Sequence, residues 1–199
     1  MRTYNFFIVE VEKIVKDTIT TDGGLELYLD GKFNDFEHRV QHGKVVAAPF
    51  KYDHGVEVGD DLYFHHNVTL NNGQPITGMD NHYLVSYDPK DAIQSQAIAF
   101  KSKKTGEVRP LSTWSLIKQV QEEREESSDV LEVVTLKKKT ITKGEIVMET
   151  PHTKELGLKI GDIVGFQKNR DYDMIIDGEK YGRVRTQDFL YVENPSTVL

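Results

Sequence analysis

The sequence contains no cysteine, which excludes disulfide bonds and cysteine-ligated zinc sites. It also has no apolar run near the ~20 residues that a membrane-spanning helix needs, so no membrane partner is expected. Basic residues are in the minority, with 25 Lys and Arg against 32 Asp and Glu and a net charge of −7, which argues against nucleic acid as a partner. The first residues meet charge too early for a secretory leader and carry acids that a transit peptide avoids. We therefore expect a cytoplasmic protein.

Motifs of catalysis are missing as well. The sequence has no Gly-x-Gly-x-x-Gly, P-loop, Gly-x-Ser-x-Gly or His-Glu-x-x-His pattern. Seven histidines are present, and two of them, His65 and His66, are adjacent. Neighbouring residues on a strand point to opposite faces, so this pair is not expected to chelate one ion. We predict that the protein is not an enzyme and that it holds no metal and no cofactor.

What the sequence does contain is an internal repeat. Val56–Phe64 and Leu158–Phe166 both run apolar, charged, apolar, Gly-Asp and then a short apolar strand, with the two Gly-Asp pairs 102 residues apart. Gly43-Lys-Val-Val recurs as Gly144-Glu-Ile-Val at a separation of 101, and Asp91-Ala-Ile is matched with Asp188-Phe-Leu at 97. Three landmarks in one order at nearly one spacing predict two copies of one small unit.

Each copy has the pattern of a small β domain. Short stretches with alternating or β-branched apolar residues are separated by turn residues, and helix signals are scarce, which predicts an all-β barrel or sandwich per copy. We place the first domain at residues 1–100, a polar linker at 101–108 and the second domain at 109–199. The acidic run over 121–129 and the lysines at 137–139 are interpreted as solvated loops, and Trp114 as a core or inter-copy residue.

The ordered motifs resemble the co-chaperonin GroES (chaperonin-10) family. Copy two carries Gly144-Glu-Ile-Val and then Ile160-Gly-Asp-Ile-Val-Gly-Phe166, and copy one carries Asp22-Gly-Gly-Leu-Glu-Leu27. The resemblance implies two tandem GroES-like irregular β-barrels, which assemble into a homo-oligomeric ring. Such a ring caps an ATP-driven, GroEL-type chaperonin ring and helps to enclose an unfolded client protein.

The resemblance also implies where the chaperonin is bound. In the family, a mobile loop inserts an apolar tripeptide between two chaperonin helices, and here that loop would span about 22–42. The tripeptide would be Leu25-Glu26-Leu27, with Leu27-Tyr28-Leu29 as the alternative register, because Glu26 stands at a central position that the family keeps apolar. The second copy's counterpart lies within Val130, Leu131, Val133 and Val134, where no Gly pair precedes it. From the residues alone, Leu25–Leu29 is equally a strand with alternating faces.

Two further expectations concern the assembly. The stretches 50–55 and 150–157 are too short for the hairpin that roofs the cellular members, so the chain looks more like a roofless phage-type co-chaperonin, which would work in the host cytoplasm. Two-domain chains can meet a sevenfold chaperonin either as seven chains that present one copy each, or as fewer chains that alternate both copies. The alternative function is a non-chaperone β-barrel module, such as a phage structural component.

Overall fold

The structure, a computed structural model, describes residues 2–12, 18–20, 23–28, 40–69, 74–91, 93–111, 114–120 and 141–193. The chain divides into two compact units, residues 1–111 and 112–199. Both are all-β. None of the helices in the described residues is long and apolar enough to cross a membrane.

The first unit is built on a seven-stranded antiparallel sheet whose hydrogen-bonded order is β6-β7-β1-β4-β5-β8-β9. A separate two-stranded sheet pairs β2 with β3, and a 3-10 turn covers His66–Val68. The strands are β1 (Phe6–Glu10), β2 (Thr18–Thr20), β3 (Glu26–Tyr28), β4 (His42–Ala47), β5 (Asp61–Phe64), β6 (Gln74–Pro75), β7 (His82–Ser86), β8 (Ala97–Lys101) and β9 (Val108–Pro110).

The second unit contains a six-stranded antiparallel sheet in the order β13-β14-β10-β11-β12-β15. The α-helix in the described part of this unit is short and begins at a capping box, in which the Thr150 and Thr153 side chains each bond the other's backbone N–H. The elements are β10 (Trp114–Gln119), β11 (Ile141–Ile146), α1 (Pro151–Glu155), β12 (Ile163–Gln167), β13 (Tyr172–Ile176), β14 (Glu179–Arg185), a 3-10 turn (Thr186–Asp188) and β15 (Phe189–Glu193).

The two sheets share one strand order. If β1, β4, β5, β6, β7 and β8 are matched with β10, β11, β12, β13, β14 and β15, every pairing in the second sheet has its counterpart in the first. The registers agree as well, and both sheets shift register one residue before the phenylalanine at the end of the Gly-Asp strand, Phe64 or Phe166. A common register across five strand pairs places equivalent residues of the two copies at equivalent sites.

The Gly-Asp turns are equivalent down to their hydrogen bonds. In the first copy, Gly59 has φ +93° and donates its N–H to the Val45 carbonyl, and Asp60 donates its own N–H to the Glu57 carbonyl. The Asp60 carboxylate accepts the Glu57 N–H at 2.8 Å. The Val45 N–H bonds the Asp60 carbonyl at 2.9 Å. The same four bonds are made in the second copy by Gly161, Asp162, Lys159 and Ile146, and Gly161 also has φ +93°.

The cores repeat in the same way. Among the described residues, one core cluster of the second unit contains six buried apolar residues, and each of them occupies the place of a buried apolar residue in the first core. The matched pairs are Val9 with Ile117, Val45 with Ile146, Val56 with Leu158, Leu62 with Val164, Phe64 with Phe166, and Val85 with Val184. Equal burial at equal register is what two copies of one packed unit require.

Three expectations need correction. The third landmark, the match of Asp91-Ala-Ile with Asp188-Phe-Leu, is wrong. Phe166 pairs with Phe189 in the second copy, and its counterpart Phe64 pairs with Ala97 in the first. Phe189 is therefore equivalent to Ala97 and not to a residue of the 91–93 stretch. The predicted linker at 101–108 lies inside the first unit, where β8 and β9 form a hairpin and Lys101 faces Val108. His65 and His66 were expected to point to opposite faces of a strand. Their rings are instead stacked, with centroids 4.6 Å apart, because His66 begins a 3-10 turn.

The predicted barrels are, among the described residues, open sheets. The first sheet ends at β6 and β9, which are only two and three residues long and each end in a proline, Pro75 and Pro110. Proline has no N–H to give to a further strand, so these edges are poor partners for ring closure within the unit. The second sheet ends at β13 and β15.

Candidate functional site

The predicted chaperonin-binding segment of the first copy falls on the small separate sheet. Glu26–Tyr28 forms β3 and pairs antiparallel with β2, so that Leu27 lies opposite Ile19. Gly24, with φ +79°, precedes it in the connecting turn, and Leu25 is 63% exposed. The strand alternative is therefore what this structure contains over Glu26–Tyr28. Leu29, like residues 29–39 of the expected mobile loop, lies outside the described residues.

The predicted segment of the second copy, Val130, Leu131, Val133 and Val134, also lies outside the described residues. The two strands that flank this connection are described. β10 ends at Gln119 and β11 begins at Ile141, and the two strands pair directly as β1 pairs with β4. The second copy's segment thus occupies the same place in the topology as the first copy's β2–β3 sheet, between the opening strand and its neighbour.

The two connections in which a roof hairpin was expected to be absent are fully described. In the first, the His54 ring bonds both the Pro49 carbonyl and the Val56 N–H and packs edge-on against Phe7 at 5.0 Å. In the second, the chain forms α1 instead. Neither stretch contains a hairpin, as their lengths predicted. Three residues beyond each stretch, the apolar residue directly before the Gly-Asp pair is exposed, Val58 at 62% and Ile160 at 59%.

A second cluster, not found by sequence reasoning, lies on β10, β13 and β14 of the second unit. The Arg183 guanidinium stacks on the Trp114 ring, with its carbon 3.6 Å from the ring centroid, and lies 4.8 Å from the Tyr172 ring. The Arg185 guanidinium lies 5.4 Å from the same Trp114 ring. The alternation Arg183-Val-Arg185 in a strand was the available signal, because it places two cations on one face.

The electrostatics of this cluster are unusual for a buried arginine. Arg183 is only 9% exposed and Trp114 only 2%. The Arg183 Nε–H and the Trp114 Nε1–H are both buried and have no hydrogen-bond partner. Burial, reinforced by the positive charge of Arg185, lowers the pKa of the Arg183 guanidinium to about 10, so the group is charged at neutral pH. None of the ion pairs among the described residues includes Arg183 or Arg185.

Within the described part of the chain, no three His, Asp or Glu side chains converge in a way that could hold a metal ion. The buried carboxylates of Asp60 and Asp162 are both engaged as acceptors of backbone N–H groups in the Gly-Asp turns. These groups are therefore explained by the fold.

No protein-family model matches the chain, and no curated protein matches it significantly.

Proposed function

We propose that the protein is a duplicated co-chaperonin of the GroES type, which caps a GroEL-type chaperonin ring and helps to enclose a folding client. It acts by binding and not by catalysis. Each unit would be one GroES-like β unit, and the segment Leu25–Leu29 of the first copy would contact the chaperonin. The observation that carries the proposal is the small β2–β3 sheet, which presents this segment outside the main sheet of its unit.

The duplication supports the proposal because it places the resembling motifs at equivalent sites. The Gly-Glu/Lys-Val-Val/Ile-Val stretch forms β4 and β11, and the Gly-Asp motif forms the turn and strand beside it in both copies. The motifs were matched by order alone in the sequence. The hydrogen bonds and core positions that the two copies share give the match between the copies a physical basis.

The binding segment can be weighed energetically. Burying two or three apolar side chains yields ~1.5–3 kcal/mol each, or roughly 4–8 in total. Ordering about five residues costs ~1–2 kcal/mol each, or roughly 5–10. A pre-formed β3 strand would lower that cost only for the residues that it contains. A single segment therefore binds weakly, and a ring that presents several segments gains affinity through avidity while still releasing when the chaperonin changes state.

The first sheet suggests how a ring would be joined. β9 immediately precedes the opening strand of the second copy in the chain, and it pairs with β8, the last matched strand of the first copy. The corresponding side of β15 has no paired strand among the described residues. If an edge strand of a second chain paired there, chains would join head to tail. Such a heterologous contact closes into a ring when the rotation per subunit is right.

Neither the β4–β5 connection nor the equivalent β11–β12 connection contains a hairpin, and this agrees with a roofless, phage-type ring. Client would then be enclosed by the chaperonin and by the inner wall of the ring, without a covering dome.

The test uses a charge placed on the binding segment. Leu27→Asp should abolish ATP-dependent co-elution with a GroEL-type chaperonin while native mass spectrometry shows an unchanged oligomer. Ile93→Asp is the matched control, because Ile93 is 73% exposed and lies outside the small sheet. Chaperonin should also protect the stretch 21–42 from protease. Unchanged binding by Leu27→Asp would remove this segment from the mechanism, and no co-elution of the wild type would favour the non-chaperone β module instead.

A further inference from the structure

The cluster on β14 departs from the repeat in a way that the fold does not require. In the first copy, the register places Phe6 where the second has Trp114, Leu84 where it has Arg183, and Ser86 where it has Arg185. Six core positions keep their apolar character between the copies, yet this face exchanges an apolar residue and a small polar residue for two cations. Because the first copy forms the same sheet with Leu84 at this position, the fold itself does not require the buried guanidinium of Arg183.

Stacking on aromatic rings does not by itself compensate the burial of Arg183. A cation–π contact is a modest interaction, whereas removing a guanidinium from water is costly unless a counter-charge and hydrogen-bond acceptors replace the solvent. No carboxylate among the described residues pairs with it, and its Nε–H has no acceptor. The neighbouring Arg185 adds repulsion, which an anion between the two would relieve.

The geometry points to a binding site for a dianionic oxyanion, formed by Arg183 and Arg185 against Trp114 and Tyr172. Stacking fixes the plane of the Arg183 guanidinium, so its edge N–H groups are held ready for a bidentate contact with a phosphate or a carboxylate. The second cation, Arg185, suits a ligand with two negative charges. The indole N–H of Trp114 is a further donor without a partner at the same cluster. This inference does not depend on the proposed chaperonin contact.

Trp114 is the only tryptophan of the chain, so its fluorescence reports directly on the site. The probes are inorganic phosphate and malonate, each titrated at constant ionic strength against sodium chloride. We expect a saturable change in Trp114 emission and a rise in the unfolding temperature with at least one of the two. A tighter response to phosphate assigns a phosphate ligand, and a tighter response to malonate assigns a dicarboxylate.

Two substitutions restore the residues of the first copy and should therefore fold. Arg183→Leu should weaken binding by about tenfold or more, the value of one lost charged hydrogen-bonding group. Arg185→Ser should weaken it by a smaller factor. Arg109→Gln removes the same charge from an exposed site in the first unit and should change nothing. The inference is overturned if neither probe gives a saturable response in the wild type, or if Arg183→Leu binds as the wild type does.

Discussion

At one pair of equivalent cross-strand positions, the two copies place a tyrosine on opposite strands. In the first copy Tyr63, on β5, lies opposite Ala99 on β8, whereas in the second copy Gly165, on β12, lies opposite Tyr191 on β15. A Cβ built on Gly165 would overlap the Tyr191 ring, so the ring lies directly over the glycine backbone. Each pair contains one tyrosine and one small residue, with the tyrosine on opposite strands.

This exchange predicts strong coupling between the two positions of the second copy. Tyr191→Ala removes a half-buried ring and uncovers a glycine in a strand, which should cost about 2 kcal/mol. Gly165→Tyr forces a second ring into the same space and should also cost about 2 kcal/mol. The double variant recreates the Tyr63–Ala99 arrangement of the first copy. We expect it to lose only about 1 kcal/mol, so the coupling free energy is about 3 kcal/mol in favour of the pair.

Urea unfolding followed by tryptophan fluorescence is the suitable assay, because the single tryptophan, Trp114, belongs to the second unit. The four proteins of the double-mutant cycle give the coupling directly. If the double variant loses the sum of the two single losses, about 4 kcal/mol, the copies do not share the contact as described, and the equivalence of β12–β15 with β5–β8 fails at its most specific point.

Two other predictions concern the first unit. The buried Asp60 carboxylate accepts the Glu57 N–H at 2.8 Å and the Lys103 N–H at 2.9 Å. Asp60→Ala should therefore cost about 2–4 kcal/mol and speed hydrogen exchange at the Lys103 amide, whereas Asp61→Asn, at a half-buried neighbour, should change stability by less than about 1 kcal/mol. Burial, aided by the nearby charges of Asp53 and Asp88, raises the pKa of the Tyr87 phenol to about 12 from a model-compound value of 10.0. The folded state thus holds this proton more tightly than the unfolded chain, so the stability is complete below pH 10 and is lost as the pH rises towards 12. Tyr87→Phe should flatten that alkaline loss in urea unfolding curves, whereas Tyr4→Phe, at a ring that is 58% exposed, should leave it in place.

Much of the sheet could be predicted because its signals are local. Strands with period-two alternation, such as β4 with its exposed and buried residues in turn, are visible in the sequence. The repeat was visible because glycine at positive φ is nearly obligatory in the Gly-Asp turn, which keeps the motif recognisable in both copies.

What could not be predicted depends on pairing or on short elements. The 101–108 stretch is polar and turn-rich in sequence, and only its pairing with β8 makes it part of a hairpin. α1 is five residues long, too short for a helical period, and its signals are confined to its start, the Thr150–Thr153 capping box and Pro151 at the first helical position. The Arg183 cluster joins three strands, so its stacking partners follow from topology and not from spacing in the chain.

The pattern of agreement and divergence bears on how the two copies would share the work. Six buried apolar positions are shared by the two copies, whereas the binding segment and the Arg183 cluster differ between them. Only the first copy has the Gly pair before its apolar segment, and only the second has the Arg183 cluster. If both copies alternated around one ring, both would meet the same chaperonin surface and would need the same binding segment. Under the proposed function, the divergence of the binding segment therefore favours seven chains that each present the first copy to the chaperonin. Native mass spectrometry decides between the arrangements, because alternating copies would need fewer than seven chains in the particle.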